Sequence, residues 1–205
     1  MQGYIININK ARDEDLIVTI LSNNKKYTAY RFYGARHSTI NLGYKIDFEL
    51  QHSYKSAIPQ LRNIMHLATK WNLKRDRMYL WQQYIKLFFQ HLKDIEDINE
   101  FYFNLLEKSY QIWDQQNSKR VAIEQYVKLL SYEGRLHNNF ICFKCEEKIV
   151  KRVALIRAFL PAHKECIYTQ DFDLLHVKEL FNNKSTLFFN NQEINRLWQI
   201  LCEGL

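Results

Sequence analysis

Two short segments carry side chains that bind soft metals: Cys142-Phe143-Lys144-Cys145 and His163-Lys164-Glu165-Cys166, separated by 17 residues. Each offers two ligands from one tight knuckle, and two knuckles close a tetrahedron around Zn²⁺. Cys142, Cys145, His163 and Cys166 would fill all four positions, leaving none for water, so the zinc is expected to be structural and not catalytic. The alternative is that the three cysteines fill apolar space and His163 lies on the surface. The remaining cysteine, Cys202, falls in an apolar C-terminal stretch and is expected as a buried thiol.

A second segment suits a different chemistry. Lys25–Gly43 reads KKYTAYRFYGARHSTINLG, with Lys45 just beyond. Tyr27, Tyr30, Phe32 and Tyr33 are interleaved with the cations. Cations that neutralise phosphate beside rings that stack on bases make a single-strand binding surface. The candidate nucleic-acid contacts are Lys25, Lys26, Tyr30, Arg31, Tyr33, Arg36, His37 and Lys45, with Arg12 extending the track and Lys10 and Lys55 as further members. An ordinary strand with a solvated basic face has the same composition. Gly34 is expected to turn the chain or to admit another backbone closely.

Bond-making chemistry has no comparable signature. There is no glycine-rich phosphate loop, GxSxG, HExxH or DxD-type cluster. Asp13-Glu14-Asp15 and the group Asp94, Glu96 and Asp97 fall at expected turns, where solvated caps are commoner than a metal-dependent nuclease site. His66 and His91 fall inside regular elements, as packing or surface residues. The chain is expected not to be an enzyme.

The elements that must position these residues change character near Trp71. Before it the pattern is β. Gly3–Lys10 alternates Tyr4, Ile6 and Ile8 with polar neighbours, and Ala11–Asp15 is a charged turn. Leu16–Ser22 is a continuous apolar strand, and Asn23-Asn24 turns into Lys25–Tyr33. Tyr44, Ile46, Phe48 and Leu50 alternate with Lys45, Asp47, Glu49 and Gln51. Four or five short strands in so small a span fit a small barrel. Residues 58–70 read equally as a last strand or a helix.

After Trp71 the period is helical. Trp81, Tyr84, Ile85, Phe88 and Leu92 form one stripe, and Ile98, Phe101, Tyr102, Leu105 and Leu106 another. A third runs from Val121 to Leu130. Asp97 and Ser118 are the expected N-caps. Leu174–Phe181 suggests a helix, Thr186–Phe189 a short strand or extended piece, and Gln192–Leu201 a last helix. The expected domains are residues 1–70, a basic DNA-binding barrel; 71–138, helical; 139–170, the zinc-knuckle region; and 171–205, a helical segment packing on the helical domain.

Composition agrees with a folded chain: 47% hydrophobic, 25% charged, and few Gly (5) or Pro (2) among 205 residues. Residues 1–75 hold 12 Lys and Arg against 5 Asp and Glu, so the entire net charge of +7 falls in the first third. Such a field draws polyanions, nucleic acid first and an acidic membrane surface second. No apolar run reaches the roughly 20 residues that span a bilayer, and the N-terminus does not read as a signal peptide. A cytoplasmic, nucleoid-associated location is expected, where thiols stay reduced.

Taken in order, these features resemble a family. Gly3-Tyr4-Ile5-Ile6, a charged turn, Leu16–Leu21, Tyr33-Gly34-Ala35-Arg36 and Pro59-Gln60-Leu61-Arg62 are similar to the N-terminal half of the RecO family of bacterial recombination mediators. A helical middle and a knuckle pair then follow, as in that family. The resemblance implies an α+β fold: an N-terminal OB-fold barrel, then a helical domain with a small zinc-knuckle insertion. It implies binding of single- and double-stranded DNA, annealing of complementary strands, and help in loading recombinase on DNA coated with single-strand-binding protein. The implied partners are RecR and the acidic C-terminal tail of the coating protein, with no membrane. Arg36 matches the basic residue of the turn motif, and Cys142, Cys145 and Cys166 match knuckle cysteines. His163 departs from the pattern, standing where metal-binding members have a cysteine, and the chain is short for the family. Two other readings stay open: a generic RNA- or DNA-binding module, and a metal-dependent nuclease.

Overall fold

The strands Gln2–Lys10 (β1), Leu16–Ser22 (β2), Lys25–Arg31 (β3), Lys45–Ser53 (β4) and Ser56–His66 (β5) close on themselves in the order β1-β2-β3-β5-β4. This is a computed structural model, and it describes residues 1–54, 56–95 and 98–204. Lys55, Glu96 and Asp97, which entered the expectations above, lie outside the described residues. All neighbours are antiparallel except β3 and β5, which meet in parallel at Tyr30 and Gln60. This is the strand order of an OB-fold barrel. Closure leaves Ile5, Leu16, Val18, Ile20, Ala29, Ile46, Phe48 and Leu61 buried together inside.

The first strand departs from simple alternation. A register shift between Ile5 and Asn7 lets Ile5 and Ile8 both serve the barrel interior. Tyr4 leaves by the outer face, so Tyr4, Ile6 and Ile8 do not share one face as expected. Residues 58–66, readable as strand or helix, belong to β5. Pro59 sits where the ladder jumps from Gln51↔Gln60 to Ser53↔Ser56, so its missing N–H disrupts no pairing.

Helices Arg75–Leu92 (α1) and Glu100–Ile112 (α2) complete a first compact unit, Met1–Asp114. Its seam is aromatic. The Trp81 ring lies 6.1 Å from Tyr4, 5.7 Å from Trp71, 5.6 Å from Tyr110 and 4.9 Å from Trp113, mostly edge to face. Trp81 Nε1 donates to the Gly43 carbonyl at 2.7 Å. The helical stripes are thus packing surfaces, with Phe101 the one expected member left half-buried. Asn99 caps α2.

A second unit begins at Gln115. It holds Ser118–Tyr132 (α3), Arg152–Ile156 (β6), Leu160–Ala162 (β7), the single turn Lys164–Ile167 (α4), Asp171–Asp173 (β8), Leu174–Asn183 (α5) and Asn191–Cys202 (α6). The strands form a small sheet in the order β7-β6-β8. α3 and α6 bury Val121, Tyr126, Leu130, Ile194, Leu197 and Leu201. Three expectations need correction. Asn117, not Ser118, caps α3: its side chain accepts from Lys119 N–H, while Ser118 is already helical and buried. Thr186–Phe189 forms no strand: Thr186 hydrogen-bonds Glu124 and receives Phe189 N–H, which makes a turn. Cys202 is exposed, at the end of α6. No described helix is long and apolar enough to cross a membrane.

Candidate metal centre and nucleic-acid interface

The first knuckle is a tight hairpin. Cys142 N–H donates to Glu147 O and Glu146 N–H to Cys142 O, both at 2.9 Å, and Ile141 bridges Lys148. Glu146 takes a left-handed backbone (φ 61), which closes the turn. The second knuckle follows β7 directly. His163 precedes α4, and Cys166 N–H returns to His163 O at 3.0 Å. Phe143 N–H reaches Pro161 O at 3.1 Å, and Lys144 Nζ reaches Cys166 O at 2.7 Å, which holds the knuckles together.

The ligand atoms of Cys142, Cys145, His163 and Cys166 all lie within 4.8 Å of one another. A zinc tetrahedron with bonds of about 2.1–2.3 Å has edges of roughly 3.4–3.8 Å, so the donor set and its spacing fit zinc. Cys145 Sγ and His163 Nδ1 are already 3.2 Å apart, which turns Nδ1 toward the sulfurs. Burial raises the Cys142 thiol, but hydrogen bonds from the backbone N–H groups of Cys145, His163 and Lys144 outweigh it and bring the thiol down to about 6. Desolvation, then hydrogen bonding to the Cys145 and Cys142 sulfurs, pushes Cys166 up to about 11. A deprotonated Cys142 is the form that ligates metal. Among the described residues this is the one cluster of His, Cys, Asp or Glu side chains able to hold an ion.

The basic segment is divided by its surroundings. At one end of the barrel the β1–β2 turn clasps the chain after β3. Ala35 N–H donates to Glu14 O at 2.9 Å, Tyr33 N–H to Asp15 Oδ1 at 2.7 Å, the Tyr30 hydroxyl to Asp15, and Arg36 pairs with Glu14. The Tyr30 and Tyr33 contacts, in that order, hold the Asp15 carboxyl below its ordinary range. Tyr33 is left-handed (φ 51) and 58% exposed, with the Arg36 guanidinium 5.2 Å from its ring. Phe32, absent from the candidate contacts, is 47% exposed and edge-on to Tyr30. Gly34 does not take a positive φ, and what it admits closely is a side chain and not a backbone: a Cβ there would meet the Leu16 side chain at 2.9 Å. Arg12 and His37 are exposed at this same end, and Lys25 is exposed at the β2–β3 turn, 5.6 Å from the Tyr27 ring.

Three other cations are internally engaged. Lys26 Nζ donates to Leu92 O at 2.7 Å, Lys93 O at 3.1 Å and Ile95 O at 3.3 Å, at the C-terminal end of α1. Arg31 Nη1 donates to Leu61 O at 3.0 Å. Lys45 Nζ lies 2.8 Å from the Glu107 carboxylate, which also accepts from the Tyr4 hydroxyl at 2.7 Å. The structure therefore brings Arg12, Tyr30, Tyr33, Arg36 and His37 together and leaves Lys25, Lys26 and Lys45 apart from them. Sequence reading took Asp13–Asp15 as solvated caps and missed that Glu14 and Asp15 orient these aromatic and basic residues. Nothing local signals a contact spanning 15 to 22 positions.

Residues 1–72, the barrel and the start of the turn after it, match the family model described as RecO N terminal. Over this first third of the chain, the barrel is similar to the RecO N-terminal domain. The RecO family is one of non-enzymatic recombination mediators. The matched residues hold every candidate nucleic-acid contact, while the metal cluster lies outside them. No curated protein matches the chain.

Proposed function

We propose that the chain is a DNA-binding recombination mediator that anneals complementary single strands and helps load recombinase on DNA coated with single-strand-binding protein. The observation that carries this reading is the RecO N-terminal match over the closed barrel. Its partners are single- and double-stranded DNA, RecR and the acidic C-terminal tail of the coating protein. The mechanism is electrostatic. Arg12, Lys25, Arg36 and His37 contact phosphates, lowering the repulsion between two approaching strands. Tyr33 and Phe32 supply exposed ring faces for bases, and Tyr30 braces them through Asp15. Lys26, Arg31 and Lys45 add to the field, but Lys26 and Lys45 tie the barrel to α1 and α2, and Arg31 ties β3 to β5 within it. Arg36 exchanges its Glu14 partner for phosphate on binding. The knuckle residues hold a structural zinc, which ties Cys142 and Cys145 to His163 and Cys166.

Single-strand affinity measured against salt tests the phosphate contacts. Three to four contacts give a slope of log K against log salt of about −2 to −3 at roughly −0.7 per contact. A slope shallower than about −1 contradicts them.

A further inference from the structure

The four knuckle ligands are not equally reachable. Cys142 is buried, Cys166 and His163 are half-buried, and Cys145 is exposed. Cys142 is also the most firmly held. Its N–H donates to Glu147 O, its carbonyl accepts from Glu146, and its sulfur accepts from His163 N–H at 3.4 Å. Cys145 sits on the outer turn of the hairpin. Cys166 sits in the single turn α4, whose last contact is Tyr168 N–H to Lys164 O at 2.8 Å. Every sulfur has another within 4.8 Å, and side-chain rotation can bring two such sulfurs to the bonding distance of about 2.05 Å.

We propose that the knuckle pair is an oxidation-responsive metal site in which a hydroperoxide oxidises Cys145, Cys166 closes a disulfide onto it, and the metal is released. The proposal rests on the zinc assignment above and adds regulation to it. Susceptibility to oxidation follows exposure and thiolate character, and metal ligation supplies the thiolate. The Cys145 sulfur attacks one peroxide oxygen, the O–O bond breaks, and the second oxygen leaves as hydroxide, or as alkoxide from an alkyl hydroperoxide. The Cys166 thiolate then attacks the resulting sulfenic sulfur, the S–O bond breaks, and hydroxide leaves. Two thiolates together give up two electrons, the peroxide gains two, and solvent protons convert the leaving groups to water or alcohol. Cys142 and His163 remain as two donors, too few for a closed four-coordinate site. A dithiol reductant restores both thiolates, so the change is reversible.

The test uses the full chain purified without added metal. Elemental analysis first gives the zinc content. Hydrogen peroxide is then added up to one molar equivalent beside a zinc-binding dye, and the disulfides are located by peptide mass mapping. We expect zinc release in proportion to a Cys145–Cys166 disulfide, reversal by dithiothreitol plus zinc, and unchanged release in Cys202→Ser. Zinc that is present but retained overturns the proposal, as does a disulfide formed instead through Cys142 or Cys202. A chain that carries no zinc overturns the zinc assignment itself, and the proposal with it.

Discussion

Lys45 and Glu107 show how a residue that reads as a phosphate contact can belong to the fold. The Lys45 side chain is only 15% exposed, and its ammonium and the Tyr4 hydroxyl both meet one carboxylate. Burial alone would raise Glu107, but hydrogen bonds from Lys45 and Tyr4 outweigh it and hold the carboxyl below its ordinary range. Glu107→Gln removes the counter-charge of a mostly buried ammonium and is expected to lower stability by about 2–3 kcal/mol, read from denaturant midpoints. A depressed carboxyl contributes stability above the ordinary glutamate range and loses it as pH falls through the lower folded value. The gap between wild type and Glu107→Gln should therefore narrow from neutral pH into acid. Lys26→Ala loses three carbonyl contacts at the end of α1, with an expected cost of about 1 kcal/mol. Its salt slope for DNA should stay near that of wild type. Neither role was legible in the sequence, because the partners lie 62 to 69 positions away. The metal ligands were legible, because each pair is local and cysteine at that spacing has few other uses.

Elements were most legible where one period serves one partner. The α1 stripe Trp81, Tyr84, Ile85, Phe88 and Leu92 is the buried set of that helix. Reading failed where an element serves two partners or ends on a cap. β1 feeds both the barrel and the aromatic seam, and absorbs the conflict in a bulge. β5 tolerates Pro59 only because of a register break that no local pattern announces. The seam itself hangs on Gly43. Its φ is +82, and an added Cβ would stand 2.6 Å from the Trp81 ring. Gly43→Ala combines backbone strain with overpacking and is expected to cost about 2–4 kcal/mol. Thermal unfolding checks this, and a loss below about 1 kcal/mol would mean that the seam is not so tightly built.

For the whole molecule, the charge argument changes once residues are grouped by compact unit. The unit ending at Asp114 holds 16 basic against 12 acidic residues, and the rest 13 against 10, so the excess is shared. Residues 76–114 hold 7 acidic against 4 basic residues and so offset part of the excess of residues 1–75, and Glu107 also pairs directly with Lys45. What distinguishes the barrel is therefore not total charge but a small exposed group at one end, with Arg12, Tyr33, Arg36 and His37 around the β1–β2 turn. The most direct measurement of that claim is the annealing rate of complementary strands pre-coated with single-strand-binding protein. It should compare the wild type with Arg12→Ala/Arg36→Ala, with thermal unfolding in parallel. We expect the variant to fold like wild type and to anneal about tenfold or more slowly, as loss of two phosphate contacts implies. A folded variant that anneals at the wild-type rate would contradict the account.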